Sequence, residues 1–269
     1  MKWLSKSYVW LMMAFLYMPI GVLIAYSFNQ SKSRSYWTGF TLKWYRELFH
    51  NEQILSSLRN TIIIAVVASV VATVLGTAAA IGIDKFNKKL RSLIINVTYI
   101  PIINPEIVTG VSMMLLFVFL RFEFGFSTLI IAHITFNLPY VILSVMPKLR
   151  QMDPNLTEAA LDLGCTPIQA FFKVVIHEIM PGIISGALMA FTMSLDDFVI
   201  SYFVYGPTFV TLPVEIYNYT KKPLHPKIYA LFTLLFIVIL LVMVLMNVLQ
   251  AKDAKQRREN ALIRKKVRQ

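Results

Sequence analysis

Long apolar blocks alternate with short polar joints along the chain. A block of about 20 apolar residues is long enough to cross a bilayer as a helix. Six such blocks are spaced along the sequence, at about 8–28, 61–83, within 93–120, 127–147, 178–204 and 228–250. The second carries no charge. The third spans 28 residues and contains Pro101, Pro105 and Glu106, which predicts a break or kink inside it. The first follows Lys2 and Lys6. It is longer than the apolar core of a signal peptide and ends without an A-x-A-like site, so it is expected to remain as an uncleaved first span.

Composition supports this pattern. Hydrophobic residues make up 57% of the 269 and charged residues 15%, against about 25% charged in soluble domains. The expected fold is an all-α polytopic membrane bundle of six transmembrane helices. It occupies residues 1–250, with a polar loop at 148–177 and a basic tail at 251–269. No polar remainder is long enough to form a separate soluble domain.

The net charge is +12. With six spans, the side holding both termini collects 17 Lys and Arg residues and the other side 9. The positive-inside rule therefore places both termini in the cytoplasm. The tail, with Arg257, Arg258, Arg264, Lys265, Lys266 and Arg268, marks the inner face and is expected to touch anionic lipid. No basic face on a soluble domain points to nucleic acid. A single cysteine, Cys165, excludes an intrachain disulfide and a cysteine-rich metal site. The four histidines lack ligand spacing, and no GxxxxGK[ST] run is present, so neither metal, cofactor nor ATP is expected on this chain. No nucleophile–base pair suggests an enzyme. A self-sufficient cation channel or proton-coupled carrier is the rival class to a transport subunit.

The loop 148–177 differs from the other joints. Asn155 with Glu158 three residues on has capping-box spacing, and Leu156, Ala159, Ala160 and Leu163 follow at helical intervals. Gly164 is placed to end that helix. Thr166 is placed to cap another, with Pro167 at its first position. So short a helix is marginal alone in water and must dock on something. Either this protein's own surface or a cytoplasmic partner would serve.

The sequence Glu158-Ala159-Ala160, three residues, then Gly164 resembles the EAA motif of bacterial ABC-importer permeases. Where that pattern continues to I-x-L-P, this chain has Val174-Val175-Ile176-His177, with a proline four residues later at Pro181. The run YWTGFTLKWYR at 36–46 and the stretches HITFNLPYVILSVMPKLRQMDP, FTMSLDDFVISYFVYGP and TLPVEIY are similar, in order, to spermidine/putrescine permeases of the PotC type. Related importers for iron, thiamine and other solutes share parts of this pattern. The resemblance implies a MetI-like bundle in a bacterial cytoplasmic membrane, paired with a second, similar permease. It also implies a cytoplasmic ATPase dimer that receives the loop through Glu158, Ala159, Ala160 and Gly164. An extracytoplasmic solute-binding protein would deliver the solute.

Asp196 and Asp197 lie inside the fifth apolar block. An ionised aspartate at a span's centre costs roughly 2.5–3.5 kcal/mol, so both must face protein, water or a cation. On one continuous helix Asp197 falls in the row Ala190, Ser194, Asp197, Ser201, Tyr205, suited to a solute path. Asp196 falls in a more apolar row. Polyamine ammonium groups suit carboxylates, and their methylene stems suit aromatic rings. The candidate path residues are therefore Asp197, Asp196, Glu106, Ser194, Ser201, Tyr202 and Tyr205. The alternative is that the aspartates cap helices or bridge to a partner. His133 is read as an interhelical hydrogen bonder, and Trp37 and Trp44 as membrane-interface anchors.

Overall fold

The computed structural model describes residues 2–32, 36–153, 155–221, 225–238, 240, 241 and 244. Among them the chain is helical, with two isolated bridge pairs and no strand. In chain order the helices are α1 (Lys2–Ser27), α2 (Lys43–Phe49), α3 (Glu52–Lys85), α4 (Lys88–Ile103), α5 (Glu106–Phe119), α6 (Phe126–Gln151) and α7 (Asn155–Asp162). There follow α8 (Pro167–Ala170), a π-helical turn at Phe171–Val175, α9 (Ile176–Asp196), α10 (Val199–Val204), α11 (Leu212–Thr220) and α12 (Pro226–Val238). Two compact units result. One holds the residues up to Glu52 and those from Tyr219 on; the other is Gln53–Asn218.

Among the described residues, four stretches are long and apolar enough to span a bilayer: Lys6–Ser27, Glu52–Lys85, Phe126–Gln151 and Pro167–Asp196. The bent pair α4–α5 makes a fifth. These correspond to the first five blocks. Helix α12 begins the sixth. The rest of 228–250, apart from Leu240, Leu241 and Val244, lies outside the described residues, as does the tail 251–269.

In the unit Gln53–Asn218, helices approach closely through small residues. Along α3 the buried row includes Ala65, Ala68, Ala72, Gly76 and Ala80. A Cβ on Gly76 would lie 2.7 Å from Val141 of α6. On α9 the row Gly182, Gly186, Ala190 and Ser194 is buried, and α9 packs along α6. A Cβ on Gly182 would meet the Ser144 carbonyl oxygen at 2.9 Å. Lipid tails are as apolar as leucine, so close van der Waals packing, more than apolar burial, holds such helices together. The outward faces of α3 and α9 leave Val66, Val70, Val74, Ile184 and Leu188 exposed, as a lipid-facing surface requires.

Two spans are broken. Between α4 and α5 the axis turns by 100°. Pro101 sits inside α4 without ending it; the break falls at Asn104 and Pro105, both in extended backbone. Proline lacks an N–H and drives the residue before it out of the helical region. The second break corrects the expectation of one helix over 178–204. Helix α9 ends at Asp196, Asp197 is extended with φ −60° and ψ 119°, and α10 begins at Val199. The row Ala190, Ser194, Asp197, Ser201, Tyr205 is therefore not one helical stripe.

The loop after α6 folds largely as its sequence predicts. Gly164 has φ +85°. The Cys165 N–H donates to Ala160 O at 3.1 Å and the Gly164 N–H to Leu161 O at 2.9 Å, the paired bonds of a glycine-terminated helix. Thr166 and Gln169 form a reciprocal capping box at the start of α8. At the other end of α7 the expectation is corrected. Asn155 is already helical, and it is the Asp153 carboxylate that accepts its N–H, at 2.9 Å.

In the other unit, Asn29 organises the chain between α1 and α2. Its side chain accepts from the Thr38 N–H at 3.1 Å and donates to Tyr36 O at 2.9 Å. Its carbonyl accepts from Trp44 Nε1 at 2.7 Å. Trp44 is 1% exposed and meets His225 edge-on. It is a core residue of the loop, which corrects its reading as an interface anchor; Trp37 stays exposed.

Candidate functional site

Both helix breaks border one cavity. It has a volume of about 470 Å³ and is lined by Pro105, Glu106, Ile107, Phe198, Tyr202 and Tyr217, among others. Non-helical backbone at membrane depth is tolerated where it is buried in protein or lines a cavity, so this coincidence is informative. Glu106 is the first residue of α5. There the helix dipole favours its negative charge, and the side chain is exposed. Phe198, Tyr202 and Tyr217 make a mutual aromatic cluster, with ring centroids 4.9 Å apart for Phe198–Tyr217 and 5.3 Å for Tyr202–Tyr217. One carboxylate thus faces a wall of aromatic rings, the arrangement that suits an organic cation.

Helix α10 carries Tyr202 of this wall, directly after Phe198, and is fixed from several sides. It packs on α5 through Gly110, where a Cβ would meet the Phe203 ring at 2.8 Å. Thr128 Oγ1 of α6 donates to the Val204 carbonyl at 2.7 Å.

At its other end α10 is held by a buried polar cluster. The Asp197 carboxylate accepts the Ile200 N–H at 3.2 Å and the Ser201 N–H at 2.7 Å, capping the helix. One ring nitrogen of His133, Nδ1, lies 2.9 Å from Ser194 Oγ. The other, Nε2, lies 3.0 Å from Ser201 Oγ and 3.4 Å from Asp197 Oδ2. Asn137 Nδ2 donates to Ser194 Oγ at 2.9 Å. Ser194 therefore accepts from Asn137 and has its own proton for Nδ1. With Nδ1 accepting that proton, Nε2 is the ring nitrogen that donates towards Asp197 and Ser201. Five side chains thus meet around the break, and Asn137 Oδ1 is left buried without a hydrogen-bond partner.

The candidate residues separate accordingly. Glu106 and Tyr202 line the cavity. Tyr205 stands beside Tyr202, with centroids 6.2 Å apart. Asp197, Ser194 and Ser201 belong to the His133 cluster and are buried. Asp196 is exposed and lies outside the cavity lining. Tyr217 and Asn137 were not singled out from sequence. Tyr217 sits on α11, nine residues in what the hydropathy pattern leaves as a joint. Among the described residues no group of three His, Cys, Asp or Glu side chains is placed to hold a metal ion.

An apolar bundle whose two broken helices face a polar and aromatic cavity defines a membrane protein of the solute-transport class. The chain belongs to the family described as the binding-protein-dependent transport system inner membrane component, which it matches over residues 72–257. It is 38% identical over 251 residues to the putrescine transport system permease protein PotI of Escherichia coli strain K12, covering 90% of this chain and 89% of that one. It is 35% identical over 225 residues to the spermidine/putrescine transport system permease protein PotC of the same strain, covering 84% and 85%. The fold is similar to that of a chain in the crystal structure of a bacterial ABC transporter involved in import of the acidic polysaccharide alginate. The TM-score is 0.66 at 18% identity, with 91% of this chain and 96% of that one covered. The protein is thus a transport permease subunit, as the EAA-like loop and the order of motifs predict.

Proposed function

We propose that this chain forms, with a second homologous permease, the membrane path of an ATP-driven polyamine importer. The observation that carries the solute class is Glu106 at the mouth of an aromatic cavity bordered by two helix breaks. The permeases of putrescine and spermidine/putrescine systems among its relatives support the same reading. Glu106 is the carboxylate that meets an ammonium group, and Tyr202, Phe198 and Tyr217 receive the methylene stem. Asp197 acts on the solute indirectly, by holding α10 and its aromatic residues in place. Asp196, a carboxylate exposed within an apolar run, faces the space shared with the second permease, since lipid would oppose its charge.

Coupling belongs to the segment 155–176. Leu163, Ile168 and Phe172 are 87%, 71% and 65% exposed, while Ala160 alone of the α7 stripe is buried. In this reading the apolar side of the loop is turned outward, to a cytoplasmic ATPase, with Glu158, Ala159 and Gly164 in the contact. Both termini lie in the cytoplasm, and an extracytoplasmic binding protein delivers the solute to the opposite side. The test is uptake of labelled putrescine and spermidine by vesicles holding the assembled importer. Uptake that requires ATP and binding protein, and that unlabelled polyamines compete away, supports the reading. Uptake of iron or thiamine in place of polyamine would replace the solute class and leave the subunit assignment standing.

A further inference from the structure

A second cavity lies at the opposite kind of surface, basic where the first is acidic. It measures about 460 Å³ and is lined by Lys88, Arg91 and Ser92 of α4, Ile95 one turn further, and Arg150 in the last turn of α6. Next to it is a mostly apolar cavity of about 270 Å³, lined by Tyr99, Leu143, Met146, Pro147 and Gln151, and sharing Ile95 and Arg150 with the first. A charged chamber and a mostly apolar one therefore adjoin along the α4–α6 groove, with Ile95 and Arg150 in the walls of both.

The charge balance within the basic chamber is one-sided. Arg91 is paired with Asp84 at 2.9 Å, but among the described residues Lys88 and Arg150 have no acidic partner. Lys88, Lys89 and Arg91 also crowd the first turn of α4, which contains no acidic residue. Cations there oppose the helix dipole, so the local field favours an added anion. A soluble anion would account for the basic chamber and leave the apolar one unexplained. A phospholipid accounts for both, with the phosphate among Lys88, Arg91, Ser92 and Arg150 and an acyl chain along Ile95, Tyr99 and Leu143. The polar joint at 84–92 and the end of α6 belong to the Lys/Arg-rich side of the chain, where anionic lipid concentrates.

We propose that the α4–α6 groove is a binding site for an anionic phospholipid, with its headgroup in the Lys88–Arg150 chamber and one acyl chain in the neighbouring apolar cavity. This assignment is independent of the solute class.

The experiment uses the complete importer, purified, stripped of lipid and titrated with phosphatidylglycerol or phosphatidylcholine, with bound lipid counted by native mass spectrometry. Phosphatidylglycerol is expected to be retained over phosphatidylcholine. The double variant K88Q/R150Q, which changes two exposed side chains, is expected to weaken retention roughly 30-fold through loss of two headgroup cations. K43Q, a cation outside the groove, is the control and is expected to have no effect. L143W, which fills the apolar chamber, is expected to lower phosphatidylglycerol retention and leave inorganic phosphate unaffected. Equal retention by K88Q/R150Q and the parent overturns the proposal. So does competition by millimolar phosphate with no effect of L143W, which identifies a free-anion site. Crosslinking of a cysteine at position 92 to the second permease in the lipid-free complex would likewise overturn it, because the groove would then be a subunit contact.

Discussion

A carboxylate in an apolar run has to find a partner, and Glu106 and Asp197 find different ones. Glu106 is exposed at a helix start beside aromatic rings. Glu106→Gln keeps the shape and removes the charge. Putrescine uptake should fall at least about tenfold, the weight of one charge-assisted contact, while the amount of assembled complex is unchanged. Asp197 is buried, and its partners are the His133 ring and two backbone amides. Asp197→Asn replaces one accepting oxygen with a donor that faces other donors. It should cost about 1.5–3 kcal/mol, read as a lower melting temperature of the complex, with uptake falling in step with the folded fraction. Full stability with selective loss of uptake would return Asp197 to the solute path. In the segment before α12, burial holds the His225 imidazole below its ordinary range, with Lys227 adding to the effect. The unfolded chain takes up a proton near pH 6.5 and the folded one resists it. Stability should therefore be complete above that value and decline as pH falls through it. His225→Gln should flatten this slope in melting curves taken between pH 7.5 and 5.

At the scale of elements, the two short helices of the loop depend on one residue between them. Gly164 adopts a left-handed φ of +85° that a β-branched side chain resists. Gly164→Val should tilt or unravel α7, reduce ATP-driven uptake several-fold and leave membrane insertion intact, as measured by uptake against complex yield. The α6–α9 contact sets a different constraint. Gly182→Val would push a side chain into the Ser144 carbonyl and the Val145 backbone at about 3 Å. The helices would separate and little complex should be recovered from detergent. The breaks at Pro105 and Asp197 were unequally legible. Proline announces its own break through its missing N–H. Asp197 carries a weaker signal: an aspartate can cap a new helix, but the apolar pattern runs on through it without a proline or glycine.

At the scale of the whole molecule, the proposed role in an importer predicts that the chain is incomplete alone. Its cavity is open on one side, its loop presents apolar residues outward, and Asp196 has no place in lipid. The purified single chain in liposomes should move no polyamine, with or without ATP. Uptake reconstituted by this chain without partners would support the channel or carrier class. The span pattern was legible because a bilayer imposes length and apolarity on each crossing segment. The loop was legible because caps and a left-handed glycine are local chemistry.

What the sequence by itself determined is therefore what depends on neighbours along the chain: the apolar spans, the proline break, the Gly164 turn and the family. The tertiary structure alone decided which carboxylate lines a cavity and which is buried. Asp196 and Asp197 look alike in a one-dimensional pattern, and Glu106 lies some ninety residues away from them. Only packing brings His133, itself held by Ser194 and Asn137, onto the second aspartate and Phe198, Tyr202 and Tyr217 around the cavity that Glu106 lines. The physical reason is that a buried charge needs donors: the backbone beside Asp197 supplies two, and the remaining one, His133, comes from a helix far away in sequence.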